Sequence, residues 1–214
     1  MATEIIFWDV DTQRDFIEPD GKLYIKNAES IKPNLAKLTQ YARMQGIRIL
    51  GSVDYHTTED PEIDKDNPDY QNTYPPHCLR GDPGAEKIME TRSEIAIWVD
   101  PITYDDQKIE EIIKSKGPIY FRKNRFDVFT NPNAKKVLEK LNPKKIVIYG
   151  VAADVCVKHA IEGLLNEGKY DIYLVIDAIE GIDEERTRKL VEDWAKKGVK
   201  AVTTSAILNG EILK

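Results

Sequence analysis

The sequence predicts an α/β fold, a three-layer α/β/α sandwich around a central, mostly parallel sheet of six strands. Short β-branched runs alternate with helix-length amphipathic segments along the chain, which is the pattern of repeated βα units. The run from Lys145 to Tyr149 is almost continuously apolar, as a strand covered on both faces requires. The length of 214 residues suits one domain, expected over 1–214, and buries enough surface to hold a core without disulfides or a structural metal.

The elements follow in order. Glu4 to Val10 is the first strand, and a helix begins at about Ser30, with Leu35, Leu38, Tyr41 and Ala42 at helical spacing and Gly46 as its stop. Ile47 to Asp54 is the second strand. From Tyr55 to about Arg92 the chain is polar and rich in Pro, Asp and Gly, and loops of about 40 residues are usually functional or disordered. Ile95 to Asp100 is the third strand, Asp105 to Lys116 a helix closed by Gly117 and Pro118, and Ile119 to Arg122 the fourth strand. Ala134 to Leu141 is helical, and Lys145 to Tyr149 is the fifth, central strand. Gly150 ends it, and a helix runs from Asp154 to Gly168. Asp171 to Ile176 is the sixth strand, and Asp183 to Lys197 is the last long helix, with Leu190, Val191, Trp194 and Ala195 on one face. Ala201 to Thr204 is a candidate for a further strand.

Composition narrows the function. With 41% apolar and 32% charged residues the chain is too hydrophobic to be disordered. Lys plus Arg total 31 against 37 Asp plus Glu, a net charge of −6, so the summed field repels phosphate backbones and anionic lipid. A nucleic-acid or membrane role is therefore disfavoured. No apolar run approaches the ~20 residues that span a bilayer, and MATEIIFWDVDTQRDF lacks the basic region of a secretion signal, so a cytoplasmic location is expected. The two cysteines, Cys78 and Cys156, are then reduced.

Ligands of open α/β sheets sit beyond the carboxyl ends of the strands, which brings Asp11, Asp54, Lys123 and the 150–156 turn to one edge. Cys156 begins a helix, where unpaired N–H groups and the dipole favour a thiolate; the bland alternative is a small buried hydrophobe. Lys123 is either a member of the same cluster or a solvated cation. Asp9 and Asp11 either point to opposite faces of the first strand or Asp11 lies beyond its end. Asp54 and His56 form a D-x-H pair at a strand end, a donor set that suits a divalent transition metal. His77 stands in TYPPHCLRG beside Cys78, which reads as structural or incidental. His159 lies three residues after Cys156 and raises a Cys–His dyad, although an ordinary half-buried helix histidine is the preferred reading.

Three ordered segments, DVDTQRDFIEPDGKLYI, KNRFDVF and GVAADVCV, together resemble the isochorismatase-like cysteine hydrolases, and among them the nicotinamidase/pyrazinamidase branch. The resemblance runs through most of the chain. It implies a catalytic triad of Asp11 (not Asp9), Lys123 and Cys156, a cis peptide between Val151 and Ala152, and an oxyanion hole made by the N–H groups of Ala152 and Cys156. It further implies a divalent metal, zinc first and iron or manganese as alternatives, held by Asp54, His56 and His77. Many nicotinamidases carry another histidine shortly after the D-x-H, whereas this chain has DYHTTEDPE, so Asp60, Glu62 or water takes that place. Phe16 and Tyr74, the latter where relatives often have Trp, are the implied walls of the substrate pocket.

The implied reaction is hydrolysis of nicotinamide to nicotinate and ammonia through a thioester. The alternatives are a carbamoyl, ureido or vinyl-ether substrate on the same fold, or a non-catalytic metal-binding module. The expected partners are a small-molecule amide and further copies of the chain, as a homodimer or homotetramer.

Overall fold

The structure, a computed structural model, describes residues 4–211; residues 1–3 and 212–214 of the expected domain lie outside them. Among the described residues one sheet holds seven strands: β1 (Ile5–Val10), β2 (Arg48–Asp54), β3 (Ile97–Val99), β4 (Ile119–Lys123), β5 (Lys145–Val151), β6 (Asp171–Glu180) and β7 (Lys200–Val202). Their order is β3-β4-β2-β1-β5-β6-β7, and every adjacent pair is parallel. The expected six strands thus become seven. The addition is β7, which pairs Lys200, Ala201 and Val202 with Tyr173, Leu174 and Val175 at one edge. It is three residues long and largely exposed, too short to show an alternation.

Helices cover both faces. Ile6, Trp8 and Val10 of β1 point into a core shared with Ile109 and Ile112 of α3 (Asp106–Lys114), Val137 and Leu138 of α4 (Ala134–Leu141), Ile161 and Leu164 of α5 (Cys156–Glu167) and Trp194 of α6 (Glu184–Lys196). Ile5 and Phe7 point the other way, against α1 (Arg14–Ile17), α2 (Lys32–Gln45) and α7 (Thr204–Leu208) through Ile17, Leu35, Leu38, Ala42 and Ile207. All six residues of β1 are buried, which is why the strand reads as a solid apolar run broken only by Asp9.

Local signals fix where the helices begin and end. Asp105 and Asp183 accept the N–H groups of Lys108 and Arg186 as N-caps of α3 and α6, at 2.8 and 2.7 Å. Gly46 and Gly168 end α2 and α5 in the left-handed conformation. The helix expected from Asp154 begins at Cys156 instead, because Asp154 turns back to accept the N–H groups of Ile182 and Asp183 at 2.9 and 3.0 Å. Side-chain bonding of this kind competes with helix formation.

The parallel register brings the strand ends together. Val10 stands opposite Ser52 on one side and Gly150 on the other, and Asp54 stands opposite Lys123. Gly150 has φ 121°, and a Cβ there would lie 2.0 Å from the Val10 carbonyl oxygen. Only glycine lets β5 turn away this close to β1.

Candidate active site

Asp11, Lys123 and Cys156 converge at the carboxyl edge of the sheet, each placed by a different element. Asp11 lies one residue past the end of β1, in a left-handed conformation with φ 45°, and its N–H is bonded to the Ser52 carbonyl at 3.1 Å. Asp9, two residues earlier, belongs to a separate buried cluster with Lys87 (3.0 Å) and Thr12 (2.7 Å). Lys123 is the last residue of β4 and is fully buried. Its Nζ lies 2.9 Å from Asp11 Oδ2 and 3.5 Å from Cys156 Sγ, and it also touches Asp54 Oδ1. Cys156 is the first residue of α5, so its own N–H has no acceptor within the helix. The peptide between Val151 and Ala152 is cis.

The charges in this cluster oppose one another. Burial pushes the Cys156 thiol well above its ordinary value; Lys123 pulls the other way, and Asp11 and Asp54 add to the rise. A helix N-terminus alone therefore does not ionise this thiol, contrary to the expectation from its position. Burial also raises Asp11, against the pull of Lys123 and with the help of Asp54. Burial disfavours the Lys123 ammonium, yet Asp11, Asp54 and Cys156 together hold its pKa well above the usual lysine value. Burial thus favours the neutral thiol, while Asp11 and Asp54 favour the Lys123 ammonium.

Asp54, His56 and His77 form a second group that shares an edge with the first. Asp54 ends β2, His56 follows two residues later, and His77 comes from the loop between β2 and β3. One ligand atom from each lies within 4.8 Å of the others. His56 Nε2 and His77 Nε2 are each 3.7 Å from Asp54 Oδ2. His77 Nδ1 lies 2.7 Å from the Pro75 carbonyl, which only accepts, so Nδ1 carries the proton and Nε2 presents its lone pair. His56 is fully buried, yet among the described residues neither of its ring nitrogens has a hydrogen-bond partner. A buried imidazole left in that state costs about 1–3 kcal/mol per unmade bond, a cost that coordination removes. Two imidazoles and a carboxylate fit a divalent ion such as zinc.

Asp54 joins the two groups, with Oδ1 on Lys123 and Oδ2 toward the histidines. Burial would raise its pKa, but Lys123 and the two imidazoles outweigh burial and hold it well below the usual carboxylate range. Asp11, Asp54 and Cys156 are also close enough to surround an ion. The Lys123 ammonium touches all three, however, and takes that place.

Asp60 and Glu62, the two residues weighed for the place of the further histidine, stand beside the donor group without joining it. Asp60 Oδ2 faces the far nitrogen of His56 at 3.5 Å and accepts the Thr57 N–H at 2.7 Å, while Oδ1 accepts from Asn124 at 3.1 Å. A carboxylate behind a ligating imidazole orients the ring and raises its basicity. Glu62 is buried and accepts the Phe126 N–H at 2.7 Å; burial carries its carboxyl up to about 7, with Lys123 opposing and Asp54 adding. Neither residue belongs to the three-donor group among the described residues.

The two expected pocket aromatics flank His77, with ring centroids at 5.4 Å for Phe16 and 6.4 Å for Tyr74. The sequence reading missed Phe126, whose ring meets the edge of Tyr74 at 5.9 Å and stacks on His159 at 6.1 Å. Its signal was its place in KNRFDVF, three residues after Lys123. His159 is thus occupied by Phe126, and no hydrogen bond joins it to Cys156 among the described residues. Cys78 is fully buried with its Sγ toward the Gly84 carbonyl at 3.9 Å, and burial raises its thiol well above the ordinary value.

The model of the isochorismatase domain matches residues 5–206. The chain belongs to the isochorismatase family. It is 26% identical over 203 residues to the nicotinamidase/pyrazinamidase of Mycobacterium tuberculosis, covering 92% of this chain and 97% of that protein. It is also 23% identical over 197 residues to a protein of Arabidopsis thaliana named as a probable inactive nicotinamidase, covering 91% and 89%. Its fold matches the pyrazinamidase of Pyrococcus horikoshii, solved in complex with zinc, with a TM-score of 0.69 at 24% identity over 94% of this chain and 99% of that one. The three-layer sandwich is therefore the family's fold. Among the described residues, no helix is long and apolar enough to cross a membrane.

Proposed function

We propose that this chain is a cytoplasmic cysteine amidohydrolase that converts nicotinamide to nicotinate and ammonia. The observation that carries the reading is the buried ammonium of Lys123, in contact at once with a thiol, a candidate base and the carboxylate of a candidate metal group. Names of relatives at 26% identity support the substrate class, a small carboxamide.

The steps follow from the charges. Asp11 takes the proton of the Cys156 thiol as Sγ attacks the carboxamide carbon, and Lys123 remains charged and stabilises the sulfur. The carbonyl oxygen becomes an oxyanion, which the N–H groups of Ala152 and Cys156 receive, a contribution of roughly 3 kcal/mol per donor in comparable sites. The C–N bond breaks, Asp11 gives its proton to the departing nitrogen, and ammonia leaves a thioester on Cys156. Water then attacks the thioester while Asp11 takes one of its protons; the C–S bond breaks, Cys156 recovers that proton from Asp11, and the carboxylic acid leaves and gives its own proton to solvent. Asp54, His56 and His77 would hold a divalent ion beside this centre, where it supplies a Lewis acid for the ring nitrogen of the substrate. Phe16 and Tyr74 would face the two sides of a flat ring.

The test is ammonia release from nicotinamide by the purified protein, with elemental analysis of the same preparation. The expected result is turnover with about one metal per chain. Bound metal without ammonia release would move the search to other amides or to carbamoyl, ureido and vinyl-ether substrates. The relative named as inactive favours a second reading, a metal-binding fold without turnover, for which no tested substrate would react.

His77→Ala is expected to lower metal affinity at least about 100-fold, since it removes one of three protein donors. Competition with a chromophoric chelator measures this, and an unchanged affinity would remove His77 from the ligand set.

A further inference from the structure

Two buried polar side chains in the same sequence segment as Asp11 reach the backbone that carries Asp54 and His77, and neither takes part in the chemistry above. Gln13, fully buried, donates from Nε2 to the carbonyls of Asp54 and Ala85, each at 2.8 Å, and accepts the Asp54 N–H on Oε1 at 2.7 Å. Asp15, also buried, accepts the Cys78 N–H on Oδ2 at 2.6 Å and the Lys22 N–H on Oδ1 at 3.0 Å. Gln13 therefore grips both backbone polar groups of Asp54, and Asp15 grips the residue that follows His77.

The segment between them is itself fixed. Phe16 and Ile17 donate to the Gln13 carbonyl at 3.2 and 3.1 Å, so residues 13 and 15 are held at one turn of backbone. The separation of the end of β2 from the His77 turn is thus set through a single stiff piece of chain that begins at Asp11. Gly84 leaves room for it: a Cβ at Gly84 would stand 2.1 Å from Asp15 Oδ1 and 2.3 Å from Oδ2. The carboxylate fills the space that any other residue at 84 would claim.

We propose that Gln13 and Asp15 are positioning residues that set the spacing of Asp54 and His77 and thereby tune metal affinity. The proposal rests on the reading of Asp54, His56 and His77 as metal ligands. Metal–ligand distances tolerate only about ±0.2 Å, so a small drift of either segment weakens the site without unfolding it. Glutamine is the residue type the geometry demands at 13, since two carbonyls and one N–H face it and only a carboxamide offers donors and an acceptor on one planar group. Glutamate there would set an acceptor oxygen against both carbonyls in place of the Nε2 donor.

The experiment titrates metal-free protein with Zn²⁺ against a chromophoric chelator and records the visible absorption bands of bound Co²⁺, which report ligand geometry. Gln13→Ala and Gly84→Ala are expected to bind Zn²⁺ about 10–100-fold more weakly than the parent, with altered cobalt bands. Gly84→Ala removes no polar group and acts only by displacing the Asp15 carboxylate, so it tests the proposal even where Gln13→Ala folds poorly. Thr12→Val breaks the neighbouring bonds to Asp9 and Thr91 and should keep the parent's affinity and bands. A general loosening of the segment would lower thermal stability in all three variants and leave the metal affinity of the folded protein alike; that result overturns the proposal. Equal weakening by Thr12→Val also overturns it. A parent chain that binds no Zn²⁺ overturns the metal reading and the proposal together, whereas tight binding in the parent and both variants overturns the proposal alone.

Discussion

Replacing Cys156 by alanine is expected to lower amide turnover at least about 10⁴-fold, the scale seen when a covalent nucleophile is removed from a hydrolase, while leaving the fold and the metal in place. Sγ lies 3.5 Å from the Lys123 ammonium, whereas the other cysteine, Cys78, is buried with its thiol toward the Gly84 carbonyl. Alanine keeps the Cβ at the start of α5 and removes one buried sulfur, a loss of about 1 kcal/mol in a partly collapsible site. The Asp54, His56 and His77 donors do not pass through Cys156, so metal content should equal that of the parent. Ammonia release and elemental analysis on one preparation read both halves of the expectation. Turnover that survives the substitution would refute the nucleophile, and turnover lost together with the metal would show that the two groups are not separable as the geometry implies.

The fold was legible wherever burial is two-sided. β1 and β5 show nearly unbroken apolar runs because a helical layer covers each face, and their predicted positions match the structure to within about two residues. The edges were not so clear. Ile95, taken as the start of the third strand, is 65% exposed, and only Ile97–Val99 pairs with β4. β6 continues past Ile176 to Glu180, where Asp177 and Glu180 hide the strand because their side chains serve hydrogen bonds rather than a core. At β3 the exposed apolar Ile95 lies outside the pairing, and at β6 the buried Ala178 and Ile179 stand between Asp177 and Glu180, so the apolar pattern breaks while the strand continues.

The candidate site was legible to the extent that its residues stand at strand ends. Asp11, Asp54 and Lys123 follow or end apolar runs, and Cys156 follows Gly150 at a helix start, so topology alone brings them to one edge. The long polar loop before β3 stood out by its length as functional or disordered, and it supplies His56, Asp60, Glu62, Tyr74 and His77. What spacing could not reveal was the set of side chains that bond to backbone: Gln13 reaches Asp54, Asp15 reaches Cys78 and Asp154 reaches Ile182. Backbone acceptors and donors are the same in every sequence, so nothing at residue 54 announces a partner at residue 13. The state of the Cys156 thiol was equally out of reach, because it depends on burial and on three charges that come from distant segments.

Lys123→Met should be as damaging to turnover as loss of the nucleophile and, unlike it, costly to the fold. The ammonium is fully buried and is the shared counter-charge of Asp11 and Asp54, both of which are buried as well. Methionine matches its length and removes its charge, which leaves two carboxylates facing each other in a dry site. Breaking a buried pair by removing one partner typically destabilises by about 3–5 kcal/mol, against about 1 kcal/mol expected for Cys156→Ala. Urea denaturation of the parent and the two variants separates these cases through their midpoints at constant slope. Turnover falls for a further reason: without the ammonium nothing offsets the burial that already holds the Cys156 thiol up, so the thiolate becomes harder to form. Lys123→Arg is not expected to restore either property, since Asp11, Asp54 and Cys156 meet at one nitrogen, whereas a planar guanidinium spreads its donors in a rigid fork. A Lys123→Met protein with the parent's denaturation midpoint would show that the two carboxylates do not depend on this charge. It would also remove the electrostatic basis for placing all three groups in one machine.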